Sequence, residues 1–258
     1  MGSPAHKHGY PFFVALWVAW FPHCYQGTKK CLLDELSRYL KNLKFQIYTE
    51  RQVPSMKLLH LDSSILGQNS VSHVLSASAV ASLSKAHPGI HITYRDLAAR
   101  PIPHLSGPYL AAGQASEGQH EPALQADLAL GQVVLDEFLA ADVIVLGVGF
   151  YNFGIPSQLK AWVDRLAIVG KTFRYSEQGP VGLAGGKRVV LTIARGGFYG
   201  PGTPTAQFEH AESYLKSIFA FFGITDIEVF AAEGVAFGPE AREAAILQAE
   251  EKIAALPA

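Results

Sequence analysis

From Leu58 onward the sequence alternates short apolar runs with longer segments of helical period, and no other feature constrains the fold as tightly. Leu58–Leu61 reads as a strand running into Asp62-Ser63-Ser64. A helix is predicted from about Ser70, with Val74, Leu75, Ala79 and Leu83 on one face and the breaker pair Pro88-Gly89 past its end. His91–Arg95 alternates as a second strand, and Leu124, Leu128, Leu135 and Leu139 mark a long helix. Asp142–Gly147 is an apolar, β-branched run, the pattern of a central strand covered on both faces. Pro156 suits the first turn of a helix through Leu159, Trp162, Val163 and Leu166. A strand at Lys187–Ile193 and a helix from Phe208 to Phe222, stopped by Gly223, come next. A strand at Ile227–Phe230 and a helix from Pro239 to Leu256 close the series. Five strands alternating with helices predict an α/β fold: a doubly wound, five-stranded parallel sheet with helices on both faces. Such sheets bind ligands beyond the carboxyl ends of their strands, where the winding reverses. The loops at 62–72, 149–156 and 194–203 are therefore expected to converge.

The chain has 258 residues, 49% of them hydrophobic and 17% charged, which suits a buried core and excludes a disordered chain. Its formal net charge of −1 provides no field to attract nucleic acid. Cys24 and Cys31 are the two cysteines, so nothing from Met56 onward can form a disulfide framework, a catalytic thiolate or a Cys-ligated metal site. A reducing, cytoplasmic setting is the matching expectation. The first 55 residues differ in kind. Pro11–Phe21 is an apolar run of 11 residues, against the roughly 20 that span a membrane. It lacks the basic start and the small-residue cleavage site of a secretory signal. Leu32, Leu33, Leu36, Leu40 and Leu43 predict an amphipathic helix over Cys31–Leu43. Residues 1–55 are accordingly read as an N-terminal extension outside the chemistry, and residues 56–258 as the functional domain, with Met56 immediately before the first core strand.

Each expected loop has a chemistry of its own. Ser64, Ser70 and Ser72 place three hydroxyls around the start of a helix, whose free N–H groups and positive end favour an anion. An ordinary serine cap would account for Ser70 alone. No Lys or Arg stands between Ser63 and Ser72, which suits a resident monophosphate better than an exchanging triphosphate. Phe150, Tyr151 and Phe153 surround Asn152, so a flat ring can lie against the loop while the amide offers a donor and an acceptor. An apolar corner packed on the core would look the same. Gly196-Gly197 after Arg195 permits close approach of backbone to ligand, though a plain turn would use the same residues. The convergence of all three decides for a ligand.

Competing motifs fail. Gly147-x-Gly149 lacks the third glycine of a dinucleotide fingerprint and does not follow the first strand. Around Gly185-Gly186-Lys187 a nucleotide loop would need glycine at Val181 and a hydroxyl at Arg188. The histidines have no paired metal spacing, and Ser64 lacks the setting of a hydrolase nucleophile.

Together these residues resemble the FMN-dependent NADH-azoreductase family, also described as NADH:quinone oxidoreductases. The resemblance rests on Ser63-Ser64-Ile65-Leu66 with Ser70-x-Ser72, on Tyr94–Ala98, and on Tyr151-Asn152-Phe153. It continues in Gln158-Leu159-Lys160, Lys171–Tyr175, Arg195-Gly196-Gly197, Phe222–Asp226 and Phe237–Glu240. It runs from Lys57 to the C-terminus and leaves the first 55 residues without a counterpart. It implies a flavodoxin-like homodimer with one FMN per subunit at the interface and no stable membrane insertion. Ser64 and the Ser70-Val71-Ser72 turn would hold the FMN phosphate. Phe150, Tyr151, Asn152, Phe153, Ala194, Arg195, Gly196 and Gly197 would hold the ring, while Tyr175 and Phe221 would wall the substrate pocket. Three positions depart from the family: Phe150 replaces a common Met, Ala194 a common Ser, and Tyr199 stands near the ring where several members carry His. The implied reaction is hydride transfer from NADH, then two-electron reduction of a quinone or aromatic azo compound, with no protein acid–base dyad. A flavodoxin-type electron carrier or a non-catalytic flavin-binding protein would share the cofactor site; the carrier would favour an acidic docking surface, which the net charge does not suggest.

Overall fold

The computed structural model describes Arg38, residues 56–114 and residues 120–257. The chain divides between Pro54 and Ser55, and every element named below belongs to the second unit. The expected helix Cys31–Leu43 lies outside the described residues, Arg38 apart. The strands are β1 (Lys57–Asp62), β2 (His91–Asp96), β3 (Val143–Gly149), β4 (Phe173–Ser176), β5 (Gly179–Gly182), β6 (Arg188–Ala194) and β7 (Asp226–Ala232). The helices are α1 (Val71–Ala86), α2 (Gly107–Gln114), α3 (Pro122–Ala140), α4 (Ser157–Asp164), α5 (Glu212–Phe221) and α6 (Pro239–Ala254).

Five strands form one parallel sheet in the order β2-β1-β3-β6-β7, and β4 and β5 form a separate antiparallel hairpin. The winding reverses between β1 and β3, which places the ligand-binding crevice at their carboxyl ends. Register aligns those ends: Asp62 pairs with Gly147, Gly147 with Thr192, and Gly149 with Ala194. Every residue of β3 is buried, as its apolar run predicts. Successive side chains enter opposite cores. Leu58, Val143, Val145 and Val190 pack with Leu75, Ala79 and Leu83 of α1 and Ala249 and Ile253 of α6. Leu59, Leu61, Ile144, Leu146 and Leu191 pack with Phe138 of α3, Trp162 of α4 and Phe219 of α5.

Several elements depart from the sequence expectation. In α1, Val74 is exposed, and the buried face instead runs through Val71, Ser72, Leu75, Ser76 and Ala79. Two buried serines rotate the helix away from the face that apolar periodicity alone selects. The helix expected from Phe208 begins at Glu212, after a short 3-10 turn at Ala206–Phe208. The cause is Glu209, whose carboxylate accepts from the N–H groups of Ala211, Glu212 and Ser213 at 2.7–3.0 Å and so caps α5. Neither α2 nor the β4–β5 hairpin is anticipated by periodicity. No helix among the described residues is long and apolar enough to cross a membrane.

Candidate functional site

The first loop is fastened to the sheet before it reaches the helix. Ser63 donates to the Gly147 carbonyl through both its N–H (3.1 Å) and its hydroxyl (2.8 Å). Ser70 then caps α1, accepting from the His73 N–H at 3.3 Å, and its hydroxyl lies 3.1 Å from that of Ser72. The Ser64 hydroxyl lies 2.8 Å from the Tyr151 phenol, linking the first loop to the second. All three serines are buried. Thr192 of β6 donates to the Ser72 carbonyl at 3.3 Å, drawing the start of α1 across the strand ends. Only glycine tolerates that approach at position 147, where a Cβ would stand 2.3 Å from Asp62 Oδ1 and 3.0 Å from the Ser72 carbonyl.

The second loop makes a tight turn. Tyr151 and Gly154 exchange backbone hydrogen bonds of 3.1 and 3.0 Å, while Asn152 and Phe153 between them take φ of 48° and 71°. A bulky aromatic residue with positive φ is rare and stores local strain. The turn lifts Phe153 to 44% exposure, with its ring stacked on Phe208 at 5.0 Å. The third loop is held through its backbone and one arginine. The carbonyls of Arg195, Gly196 and Gly197 accept from Val235, Ala236 and Gly234. The buried Arg195 guanidinium meets three carboxylates, Glu212 at 2.7 Å, Glu233 at 3.1 Å and Glu209 at 3.3 Å. Burial raises the Glu212 carboxyl, but the hydrogen bonds from Lys216 and Arg195 and their charges hold it below the usual range. Glu233 also accepts from the Tyr199 N–H at 2.8 Å, and the Tyr199 ring packs on Phe150 with centroids 4.7 Å apart.

Where the loops meet there is a cavity of about 180 Å³. Of the residues expected at the site, Ser64, Ser70, Val71, Ser72, Phe150, Tyr151, Ala194 and Gly196 line it. Asn152, Phe153, Arg195, Gly197 and Tyr199 stand in the same loops without lining it. Tyr175 and Phe221 form a separate cluster: both rings pack on Phe173, at 5.4 and 4.6 Å, and Tyr175 is 70% exposed. Sequence reasoning missed Leu66, Gly149, Val235 and Arg242 on the cavity wall. Arg242 reaches it from α6, and no local pattern signals that. Beneath the first loop lies a buried polar group. Asp62 accepts from Ser76 at 2.7 Å and from Tyr94 at 3.1 Å, with His60 Nε2 3.6 Å away. Burial pushes its carboxyl up, but the contacts of His60 and Ser76 and the neighbouring His73 more than offset this and hold it below its usual value. Burial and the Asp62 charge together push the Tyr94 phenol up to about 12, so it stays a donor.

The donor set decides what this cavity can hold. Its walls carry serine hydroxyls, a phenol and one guanidinium, and no carboxylate among the described residues. That chemistry suits a phosphate, while Gly149, Ala194 and Gly196 beside Phe150 leave room for a flat ring. A larger hollow, about 640 Å³, lies at the opposite ends of the strands. Both of its cations are already engaged: Arg188 with Glu228, and Lys187 with the Leu139 and Ala141 carbonyls.

Residues 56–256 match the family described as flavodoxin-like fold. Over 203 residues the chain is 55% identical to the FMN-dependent NADH:quinone oxidoreductase of Methylorubrum extorquens (strain PA1), an alignment covering 79% of this chain and all of that protein. Among solved structures, the azoreductase from Bacillus anthracis str. Sterne superposes with a TM-score of 0.70 at 32% identity, covering 78% of this chain and 97% of its own. The FMN-dependent NADH-azoreductase from Bacillus anthracis str. Ames Ancestor, solved in complex with FMN, gives 0.69 at 27% identity, covering 78% of this chain and 98% of its own.

Proposed function

Because the chain belongs to the flavodoxin-like family of FMN-dependent NADH:quinone oxidoreductases, we propose that it binds FMN in the serine-lined cavity and reduces quinones and aromatic azo compounds with NADH. The observation that carries the reading is the cavity at the β1–β3 reversal, walled by three buried serines and, among the described residues, by no carboxylate. The chemistry a bound FMN supplies is two-electron transfer, with hydride entering from NADH and the electron pair leaving to the acceptor in a ping-pong sequence.

The residues divide the remaining work. Ser64, Ser70 and Ser72, with the N-terminal end of α1, hold the phosphate. Phe150–Phe153 and Ala194–Gly197 position the ring, and the backbone N–H groups of Asn152, Phe153, Gly196 and Gly197 offer preorganised donors toward it, those of Phe150, Tyr151 and Arg195 being spent on Ala194, Gly154 and Ala232. Arg195 contributes by pinning the third loop, since its guanidinium is committed to Glu209, Glu212 and Glu233 and its backbone to Ala232 and Val235. Tyr199 stiffens the ring site through Phe150, and Tyr175 and Phe221 belong to the substrate side. The chain works as a homodimer: Phe153, Phe198 and Phe237 are 44%, 55% and 65% exposed, and Phe198 stacks on Phe237 at 5.6 Å, an apolar surface of the kind that subunits cover. The cytoplasm, where NADH is available, is its place of action.

Purification and turnover test the proposal. The protein should release FMN, not FAD, on denaturation and should oxidise NADH in the presence of a soluble quinone, with parallel lines in double-reciprocal plots. FMN without NADH oxidation would favour an electron carrier instead.

A further inference from the structure

We propose that Arg242 is a phosphate-binding residue of this site, an inference that rests on the FMN reading of the cavity. The three serines are neutral donors, and the end of α1 contributes roughly half a positive charge, against the two negative charges of a phosphate monoester. The residues from Ser63 to Ser72 include no cation. The one cation on the cavity wall among the described residues comes from 173 positions beyond Asn69, in the first turn of α6.

Helix packing puts it there. Arg242 Nη2 donates to the Asn69 carbonyl at 2.7 Å, immediately before the cap of α1. Farther along, Ser78 of α1 donates to Glu250 of α6 at 2.7 Å. The two cross-links occur in the same order along both helices, so α1 and α6 run parallel and bring both N-terminal ends to the phosphate end of the cavity. Gly238, at φ +107°, caps α6, and its carbonyl accepts the Arg242 N–H at 3.0 Å. A guanidinium carries five N–H donors, and the Asn69 carbonyl engages one nitrogen of the three. One side of the group anchors the loop, and its remaining donors pair with the phosphate, as the planar fork of arginine suits.

The test compares FMN with riboflavin, which has the same ring and no phosphate, by flavin fluorescence quenching on apoprotein. Arg242→Gln keeps a side-chain donor for Asn69 and removes the charge. It should weaken FMN about ten- to a hundredfold and leave riboflavin within about twofold. Arg242→Lys keeps the charge and should retain more of the preference for FMN than Arg242→Gln does. An unchanged FMN preference in a folded Arg242→Gln protein overturns the inference. So does equal weakening of FMN and riboflavin, which would make Arg242 a loop anchor only. If Arg242→Gln does not fold, an Arg242→Lys protein with the full wild-type response of FMN affinity to salt supports the charge pairing, and loss of that response overturns it. Wild-type protein that binds FMN no better than riboflavin would instead refute the phosphate reading of the cavity, a distinct failure.

Discussion

Ser70 serves two purposes, helix cap and ligand donor, and the two can be separated by measurement. Replacing Ser70 and Ser72 together by Ala removes one cap, at about 1 kcal/mol of stability. It also removes two hydrogen bonds to a charged group, at about 1.5–3 kcal/mol each of FMN binding. Denaturant unfolding of the apoprotein should therefore shift slightly while the FMN dissociation constant rises by orders of magnitude; unchanged affinity would refute the phosphate assignment. Asp62 gives a prediction in pH. Its folded carboxyl titrates below its ordinary value of 3.8 despite burial. Its contacts with Ser76, Tyr94 and His60 thus contribute stability that is complete above the unfolded value and is lost as pH falls through the folded one. Asp62→Asn should destabilise the protein by about 1–3 kcal/mol near neutrality, leaving Ser76 and Tyr94 poorly paired. The gap from wild type should close as the pH falls below about 4. A gap that persists below that pH would contradict the carboxylate's role. At this scale the serines were legible because the strand they follow and the helix they start lie next to them in sequence. Arg242 was not, because helix packing alone brings it to Asn69.

Elements were legible where periodicity was strong and illegible where other forces shape the chain. The β4–β5 hairpin has two strands of four residues, one of them Gly-Pro-Val-Gly, and short strands of that composition carry no alternation to read. Helix α2 begins Gly-Pro and is eight residues long. What holds it is tertiary: the Arg165 guanidinium lies 3.9 Å over the Tyr109 ring and pairs with Asp127 at 2.9 Å. The third loop follows the same logic, since Arg195 ties β6 to α5 and to the end of β7 through three glutamates. Arg195→Met should cost about 3–5 kcal/mol in urea unfolding, because it leaves Glu209 and Glu233 without their cation and Glu212 with Lys216 alone. The same change should weaken FMN binding by releasing the Gly196-Gly197 backbone, and raising the pH from 6 to 8 should not rescue it. A variant as stable as wild type would show that the cluster is dispensable to the loop.

The alternation of strands and helices predicted the whole sheet, and the sheet predicted where the site would lie, since the reversal between β1 and β3 follows from topology rather than from any single motif. We propose that the functional domain begins at Met56. The matched relative from Methylorubrum extorquens is covered along its full length by 79% of this chain, and the family match begins at Met56. The backbone there is already engaged. The Met56 carbonyl accepts from His91 at 2.8 Å, and Lys57 both donates its N–H to Asp142 Oδ2 and accepts from the Asp142 N–H, each at 2.8 Å. A chain starting at Met56 keeps every one of these hydrogen bonds and all three loops, and tolerance to truncation depends on that and not on how many residues are removed. Residues 56–258 alone should therefore fold, bind FMN within about twofold of the full chain and turn over NADH and quinone at the same rate. Circular dichroism, flavin titration and steady-state kinetics on the truncated protein check this. A truncated protein that folds but loses FMN would show that residues 1–55 complete the site, and one that does not fold would show that they complete the core.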